Sequence, residues 1–237
     1  MPGIWRWLAR DAEQFPAGRL VQPSGDVPNL QMQIPARQAT GRAGQRFLLW
    51  LDAVGGFLVC LADRVSIGQP VARRVDVPIM ADLARLHAWI ERRGDGYSLR
   101  AARSATVNGR VVKQRATLSD DARVLLGRDV QLRFSRPSCR SRTARLRLES
   151  PHRLSLATNE VLLMADTCTI GPGPSAHVRA AGWNREIVMC RNGTELWIHA
   201  AAPFQVDGRR CVESSRLTLA SRVEGDGFSL ALEPLSD

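Results

Sequence analysis

The sequence contains almost no lysine, and its cysteines lack the spacing of metal ligands. The 33 basic residues are all arginine except Lys113, and they are spread along the chain, so the net charge of +10 does not come from one basic run. No C-x-x-C pair occurs, which argues against a zinc knuckle or a disulfide framework. The five cysteines are Cys60, Cys139, Cys168, Cys190 and Cys211. A reducing cytoplasm is therefore the expected location.

A hydrophobic run long enough to span a bilayer is also lacking. The most apolar region, residues 47–62, is interrupted by Asp52 and by Gly55-Gly56. It is shorter than the roughly 20 apolar residues that a membrane helix needs. The N-terminus has no apolar core followed by small residues, as a secretory signal would have. We therefore expect neither secretion nor a membrane partner.

Motifs of the common enzyme classes are missing as well. The sequence has no G-x-S-x-G elbow, P-loop, H-E-x-x-H or dinucleotide fingerprint. The four histidines are far apart and lack metal-ligand spacing; they are His87, His152, His177 and His199. The sequence predicts a non-enzymatic protein without a metal or a cofactor.

What the sequence does contain is a series of short apolar or alternating segments after residue 44. In "VQLRF", Val130, Leu132 and Phe134 alternate with polar residues, which is typical of a half-buried strand. Regularly spaced segments of this kind favour an all-β sandwich. Residues 1–44 lack this pattern and are expected to hold one short helix followed by a linker.

These segments form an internal repeat. "GGFLVCLADRVSIGQ" matches "NEVLLMADTCTIGPG", and residues 84–110 align without gaps to residues 183–209. The aligned pairs Asn108-Gly109 and Asp207-Gly208 supply the positive φ that a tight hairpin turn requires. The repeat predicts two similar β domains, 45–137 and 144–235, joined by the short segment "SCRSRT".

The first copy carries an ordered set of motifs. They are Ile67-Gly68, Arg85-x-His87-Ala88, "GYSL", Val107-Asn108-Gly109 and "TLSDDARVLLG". In this order they resemble a forkhead-associated (FHA) domain, and the pair of copies is similar to tandem, divergent FHA proteins of some bacteria. The resemblance implies an all-β fold of two FHA-like (SMAD/FHA-type) β-sandwiches in tandem with an N-terminal extension, the second copy being degenerate.

The resemblance also implies a phosphothreonine seat in the loops at one end of the sandwich. Typical members hold the phosphate with an arginine after the first glycine, which makes charge-assisted bonds, and with a serine and a loop asparagine. Here those positions hold Gln69, Ala84 and, near the asparagine, Arg103. The residues that match are largely scaffold, namely Gly68, Arg85, His87, Asn108 and Gly109.

Other residues of the first copy could replace the missing phosphate contacts. Arg73 and Arg74 follow Gly68-Gln69, while Arg85, Arg103 and Ser104 fall in the two other loops on the same side. A basic pocket rebuilt from these residues is one interpretation, and ordinary loop arginines in an arginine-rich protein is the other.

The second copy departs further from the pattern. Pro172 follows Gly171, Trp183 takes the serine position and Glu186 takes the histidine position. Proline brings neither a backbone donor nor a charge, so we expect no phosphate seat there.

Two functions are consistent with these residues. The first is a protein–protein interaction module of FHA type, with a protein or phosphoprotein partner and with weak, rebuilt or lost phosphothreonine recognition. The alternative is a basic nucleic-acid-binding protein that uses the arginine-rich surface. Nucleic-acid binding is not favoured, because no aromatic pair is interleaved with basic residues as a stacking platform requires.

Overall fold

The structure is a computed structural model, and it describes residues 46–71, 75–158 and 160–235. These ranges contain 23 β-strands and no helix, which confirms the all-β prediction. The helix predicted within residues 1–44 lies outside the described residues. No helix of the described ranges is long and apolar enough to cross a membrane.

The strands of the first repeat follow one another in short segments. They are β1 (Arg46–Leu51), β2 (Gly55–Cys60), β3 (Arg64–Gly68), β4 (Val77–Met80), β5 (Ala88–Arg93), β6 (Gly96–Ala101), β7 (Ala105–Val107), β8 (Arg110–Val111), β9 (Arg115–Leu118), β10 (Arg123–Leu126) and β11 (Val130–Ser135).

The second repeat has the same succession with one extra strand. Its strands are β12 (Ala144–Leu148), β13 (Arg153–Leu154), β14 (Glu160–Leu163), β15 (Thr167–Gly171), β16 (Val178–Arg179), β17 (Ile187–Asn192), β18 (Glu195–Ala200), β19 (Phe204–Val206), β20 (Arg209–Cys211), β21 (Ser214–Leu217), β22 (Arg222–Gly225) and β23 (Phe228–Pro234).

The strands form one large sheet and two small ones. The large sheet has twelve strands in the order β20-β19-β22-β23-β1-β2-β14-β12-β11-β10-β7-β8. A six-stranded sheet, β13-β4-β3-β5-β6-β9, packs on one face of it through the first core cluster. A five-stranded sheet, β16-β15-β17-β18-β21, packs through the second cluster.

Strands β1, β2 and β14, at the centre of the large sheet, are covered on both faces. In β1, Phe47 and Leu49 belong to the second core cluster, whereas Leu48 belongs to the first. In β14, Leu162 and Leu163 divide between the two clusters in the same way. Burial on both faces explains why these strands are continuous apolar runs, whereas β11 alternates.

Strands β2 and β14 meet in an in-register parallel pair. Phe57 pairs with Glu160 and Cys60 with Leu163, and these are the residues that the sequence repeat aligns. Equivalent residues therefore face one another across a pseudo-twofold axis that runs along the strands. Such an axis exchanges the two faces of the sheet, which places the two small sheets on opposite faces.

The hairpins β1–β2 and β12–β14 are exchanged between the repeats. The last strand of the first repeat, β11, pairs with β12, and the last strand of the second repeat, β23, pairs with β1. The segments 45–137 and 144–235 thus delimit the sequence repeats, but neither closes its sandwich with its own hairpin. The two repeats thus share one twelve-stranded sheet.

The two tight turns follow the predicted chemistry. Asn108 and Gly109 have φ of 50° and 77° and join β7 to β8, and Asp207 and Gly208 have φ of 52° and 77° and join β19 to β20. Two successive positive φ values are those of the type I′ hairpin turn.

Candidate functional site

His87 connects loops at one end of the sandwich that holds the six-stranded sheet. Its Nδ1 accepts a hydrogen bond from the Ala84 N–H (3.2 Å), so Nε2 carries the proton and donates to the Ser104 carbonyl (2.9 Å). The His87 carbonyl accepts from the amides of Ala102 and Arg103. The buried ring therefore fixes the loop before β5 against the loop before β7.

Gly68 brings a third loop to the same place. A Cβ at this position would lie 2.3 Å from the Arg85 carbonyl oxygen and 2.9 Å from that of Ala84, so only glycine lets the backbones approach this closely. The next amide, that of Gln69, donates to the Ala84 carbonyl at 3.1 Å. The end of β3 is thus joined directly to the loop that carries Arg85.

Four of the candidate phosphate-binding residues stand on these three loops. The Gln69 side chain is partly buried, and its amide nitrogen lies 3.3 Å from the Ala81 carbonyl. Arg85, Arg103 and Ser104 are exposed. The remaining two candidates, Arg73 and Arg74, lie outside the described residues.

Arg85 and Arg103 carry unpaired positive charge at this end of the sandwich. Within residues 46–71, 75–158 and 160–235, neither guanidinium has a hydrogen bond or an ion pair. Asp82 is exposed on the same loop as Arg85 and brings one negative charge. The loops can therefore offer two free guanidinium groups to an anionic ligand, against one carboxylate.

Asn108 and Gly109 lie at the β7–β8 turn, where their role is to hold strands together. The Asn108 side-chain oxygen accepts from the Arg123 N–H at 2.8 Å, and the Asn108 amide donates to the Arg123 carbonyl. Asp207 makes the same pair of bonds to Arg222 in the second repeat. These residues shape the turn, and within the described ranges no hydrogen bond joins their side chains to residues 68–69, 81–87 or 102–104.

The corresponding loops of the second repeat are built differently. Trp183 is buried in the second core cluster, with its ring centroid 5.6 Å from that of Phe228. Pro172 is exposed. Glu186, at the histidine position, makes no hydrogen bond that joins loops in the described part of the chain, and burial raises the pKa of its carboxyl.

A buried histidine, His177, stands just before β16. Its Nδ1 accepts from the Thr169 N–H at 2.9 Å, and its Nε2 has no partner within the described ranges. In the first repeat, the Asp76 carboxylate accepts from the Ser66 N–H in the same manner. His177 therefore takes over a strand-pinning role, and burial, followed by repulsion from Arg145, lowers its pKa from 6.5 to about 4.

The low pKa of His177 makes the stability of the protein depend on pH. The unfolded chain binds a proton at His177 below about pH 6.5, whereas the folded protein does so only near pH 4, so the free energy of unfolding falls as pH decreases between these values. The loss amounts to about 3 kcal/mol at most. Urea unfolding at several pH values measures it.

The matched variant for this prediction is His177→Asn, whose side-chain oxygen can still accept from Thr169. It should flatten the slope between pH 6.5 and about 4. An equal slope in both proteins would show that another group is responsible.

Sequence reasoning missed the backbone groups that complete the site. The Ser104 carbonyl accepts from both His87 Nε2 and the Gly127 amide, and Gly127 has a φ of 62°. The position of Gly127 at the end of "VLLG" was the signal in the sequence.

Two pockets of about 270 and 300 Å³ lie away from these loops, next to Phe204 and Trp50 respectively.

Known proteins resemble this chain only in part. No protein-family model matches it, and no curated protein matches it. Among solved structures, it is similar to "Mycobacterium tuberculosis EmbR in complex with low affinity phosphopeptide" at 22% identity and a TM-score of 0.27, over 34% of this chain and 22% of that chain. The chain thus spans about a fifth of that protein's length.

Two further structures are similar over comparable stretches. One is the FHA domain of the CT664 protein from Chlamydia trachomatis, at 23% identity and a TM-score of 0.27, over 35% of this chain and 89% of that chain. The other is the Rv0020c FHA structure, at 28% identity and a TM-score of 0.26, over 37% and 89%. Similarity at this TM-score assigns no function by itself.

Proposed function

We propose that the protein is a non-enzymatic protein–protein interaction module of FHA type, in which the His87 loops bind a segment of a partner protein. The His87 loops are residues 68–69, 81–87 and 102–104. The observation that carries the proposal is the bonding of His87 to both Ala84 and Ser104, which holds an exposed set of loops in one arrangement. A preorganised loop surface loses less entropy on binding than a mobile one.

Phosphate recognition at these loops is proposed to be weak. Gln69 brings no charge at the position where the family has an arginine, and Ala84 brings no hydroxyl at the position where it has a serine. Asp82 repels an anion. Arg85 and Arg103 are the free cations that remain among the described loop residues, and an exposed guanidinium gives a charge-assisted bond of about 1.5 to 3 kcal/mol at best. We expect a preference for phosphothreonine over threonine of about tenfold, from one such bond.

The second repeat is proposed to be a degenerate FHA-like domain that supports the first. Its hairpin β12–β14 completes the sheet beside β11, and the buried Trp183 and the exposed Pro172 leave no phosphate seat at its own loops. Its contribution to function is to hold the first repeat in its folded form.

The experiment is binding of the intact protein to a degenerate phosphothreonine peptide library and to its unphosphorylated twin. For the best peptide, Arg85→Ala combined with Arg103→Ala should abolish the preference for phosphate. It should leave the affinity for the unphosphorylated peptide within about twofold, because only the charge-assisted bond is lost. Fluorescence anisotropy with labelled peptides measures both affinities.

The matched control is Arg110→Ala combined with Arg128→Ala. Both residues are exposed arginines outside the three loops, so the control removes the same charge and should keep the preference. A preference that persists in the Arg85 and Arg103 variant would place the phosphate elsewhere. Failure of every peptide to bind would overturn the proposal.

A further inference from the structure

The outer face of the six-stranded sheet gathers four arginines around one tryptophan. Alternation along the strands directs Arg64 of β3, Trp89 and Arg93 of β5, and Arg100 of β6 away from the core. Arg115 of β9 pairs with Arg100 across the strands and lies on the same face. We call Arg64, Trp89, Arg93, Arg100 and Arg115 the arginine face.

Trp89 lies between two guanidinium groups. The Arg64 guanidinium carbon is 4.5 Å from the Trp89 ring centroid, and that of Arg100 is 5.6 Å from it. Both distances are those of cation–π contacts. The ring and its two guanidinium groups form a surface of planar groups, and a nucleic-acid base can stack on either kind.

A buried carboxylate organises the other arginines. The Glu91 side chain is 7% exposed. Its carboxylate oxygens lie 2.5 Å from Arg115 Nη2, 3.5 Å from Arg64 Nε and 3.6 Å from Arg93 Nη2. The arginines themselves stay open to solvent, at 41%, 45% and 72% exposure respectively. Arg100 makes no bond to Glu91, so four guanidinium groups and one carboxylate leave an excess of positive charge on this face.

The size of the face suits a short stretch of polyanion. Arg64 and Arg115 stand on β3 and β9, which are separated by three strand spacings, or about 14 Å. Ser66, Ser98 and Thr117 lie among them and add hydroxyl groups for hydrogen bonding. At the margin, the Asp76 carboxylate is bonded to Ser66.

Residues 1–44 are not an acidic segment that could bind to this face. Residues 1–44 contain five arginines and three acidic residues. On the equivalent face of the second repeat, Thr167, Cys190, Trp197 and Arg216 stand in one cross-strand row. Its arginine, Arg216, is ion-paired with Glu195. The cluster of four arginines and the ring between two guanidinium groups thus belong to the face of the first repeat.

We infer that the arginine face binds single-stranded nucleic acid, with phosphates at Arg93, Arg100 and Arg115 and a base stacked on the Trp89 platform. An acidic protein segment would use the charge alone, whereas a single strand uses both the charge and the planar groups. Binding at this face would not depend on the His87 loops. It would use one tryptophan between two guanidinium groups in place of the aromatic pair that the sequence lacks.

The experiment is fluorescence anisotropy of the intact protein with labelled oligothymidylate and oligouridylate of about 20 nucleotides. Arg100→Ala with Arg115→Ala should weaken binding at least about tenfold and reduce the slope of log K against log salt by about 1.4. Trp89→Leu should weaken binding about tenfold with an unchanged salt slope. The matched control, Arg209→Ala with Arg210→Ala, removes two exposed arginines of β20 and should bind normally.

Three results would overturn the inference. They are absence of binding at about 50 mM salt, equal loss in the control variant, and displacement by poly-glutamate with no effect of Trp89→Leu. The last would assign the face to acidic protein segments. A thermal midpoint measured for each variant ensures that loss of binding is compared between folded proteins.

Discussion

A fragment of residues 42–140 is expected to be unfolded, although it contains the whole first sequence repeat. Without β12, β13 and β14, the first core cluster loses Ala144, Leu146, Leu154, Val161 and Leu163. Each of the four leucine and valine side chains contributes about 2 kcal/mol, so the loss of about 8 kcal/mol compares with a total stability of about 5 to 15 kcal/mol. Circular dichroism and urea unfolding measure the outcome.

The second half of the chain provides the control for this fragment. Residues 141–237 alone should also be unfolded, because β23 then lacks β1 as its neighbour. When the two fragments are mixed, they should restore the spectrum and a cooperative transition. A cooperative transition of residues 42–140 alone would contradict the exchange of hairpins and would show that β1 can pair with β11.

Gly68→Ala is expected to lower both stability and binding. The new methyl group would lie 2.3 Å from the Arg85 carbonyl oxygen, and this neighbour is backbone, so the loop must move. Such overpacking costs about 2 to 3 kcal/mol. Because the Gln69 bond to Ala84 is broken, the loops lose their arrangement, and peptide affinity should fall by about tenfold or more, a factor that corresponds to about 1.4 kcal/mol.

Gly96→Ala is the matched control for this substitution. A Cβ at Gly96 meets only the Arg93 carbonyl oxygen, at 3.6 Å, which is an ordinary contact. Its urea midpoint should therefore stay close to that of the unchanged protein. If Gly68→Ala were equally harmless, the close approach of β3 to the Arg85 loop would not be required for folding.

The sequence predicted the local elements because their signals are local. The turn at Asn108-Gly109 follows from residues that tolerate positive φ, and β11 follows from the alternation of Val130, Leu132 and Phe134. The motif order around His87 identified the loops that the structure brings together. The turn and the strand depend on neighbours within a few residues, whereas the loops were identified from the order of motifs along the chain.

The exchange of the hairpins could not be predicted in the same way, because either repeat offers equivalent partners to β11. One signal was present: "FLLWL" and "VLLMA" are continuous apolar runs, which indicate strands buried on both faces. The arginine face was missed for another reason. Arg64, Trp89 and Arg115 are far apart in the chain, and only strand register places them side by side.

The His87 loops of the first repeat are proposed to be the binding surface for a partner peptide. The most direct test is a map of backbone amide chemical shifts of the intact protein during titration with the best library peptide. Changes are expected at Gln69, at residues 84–87 and at residues 102–104. Changes confined to residues 172–186 of the second repeat, or to the arginine face, would contradict it.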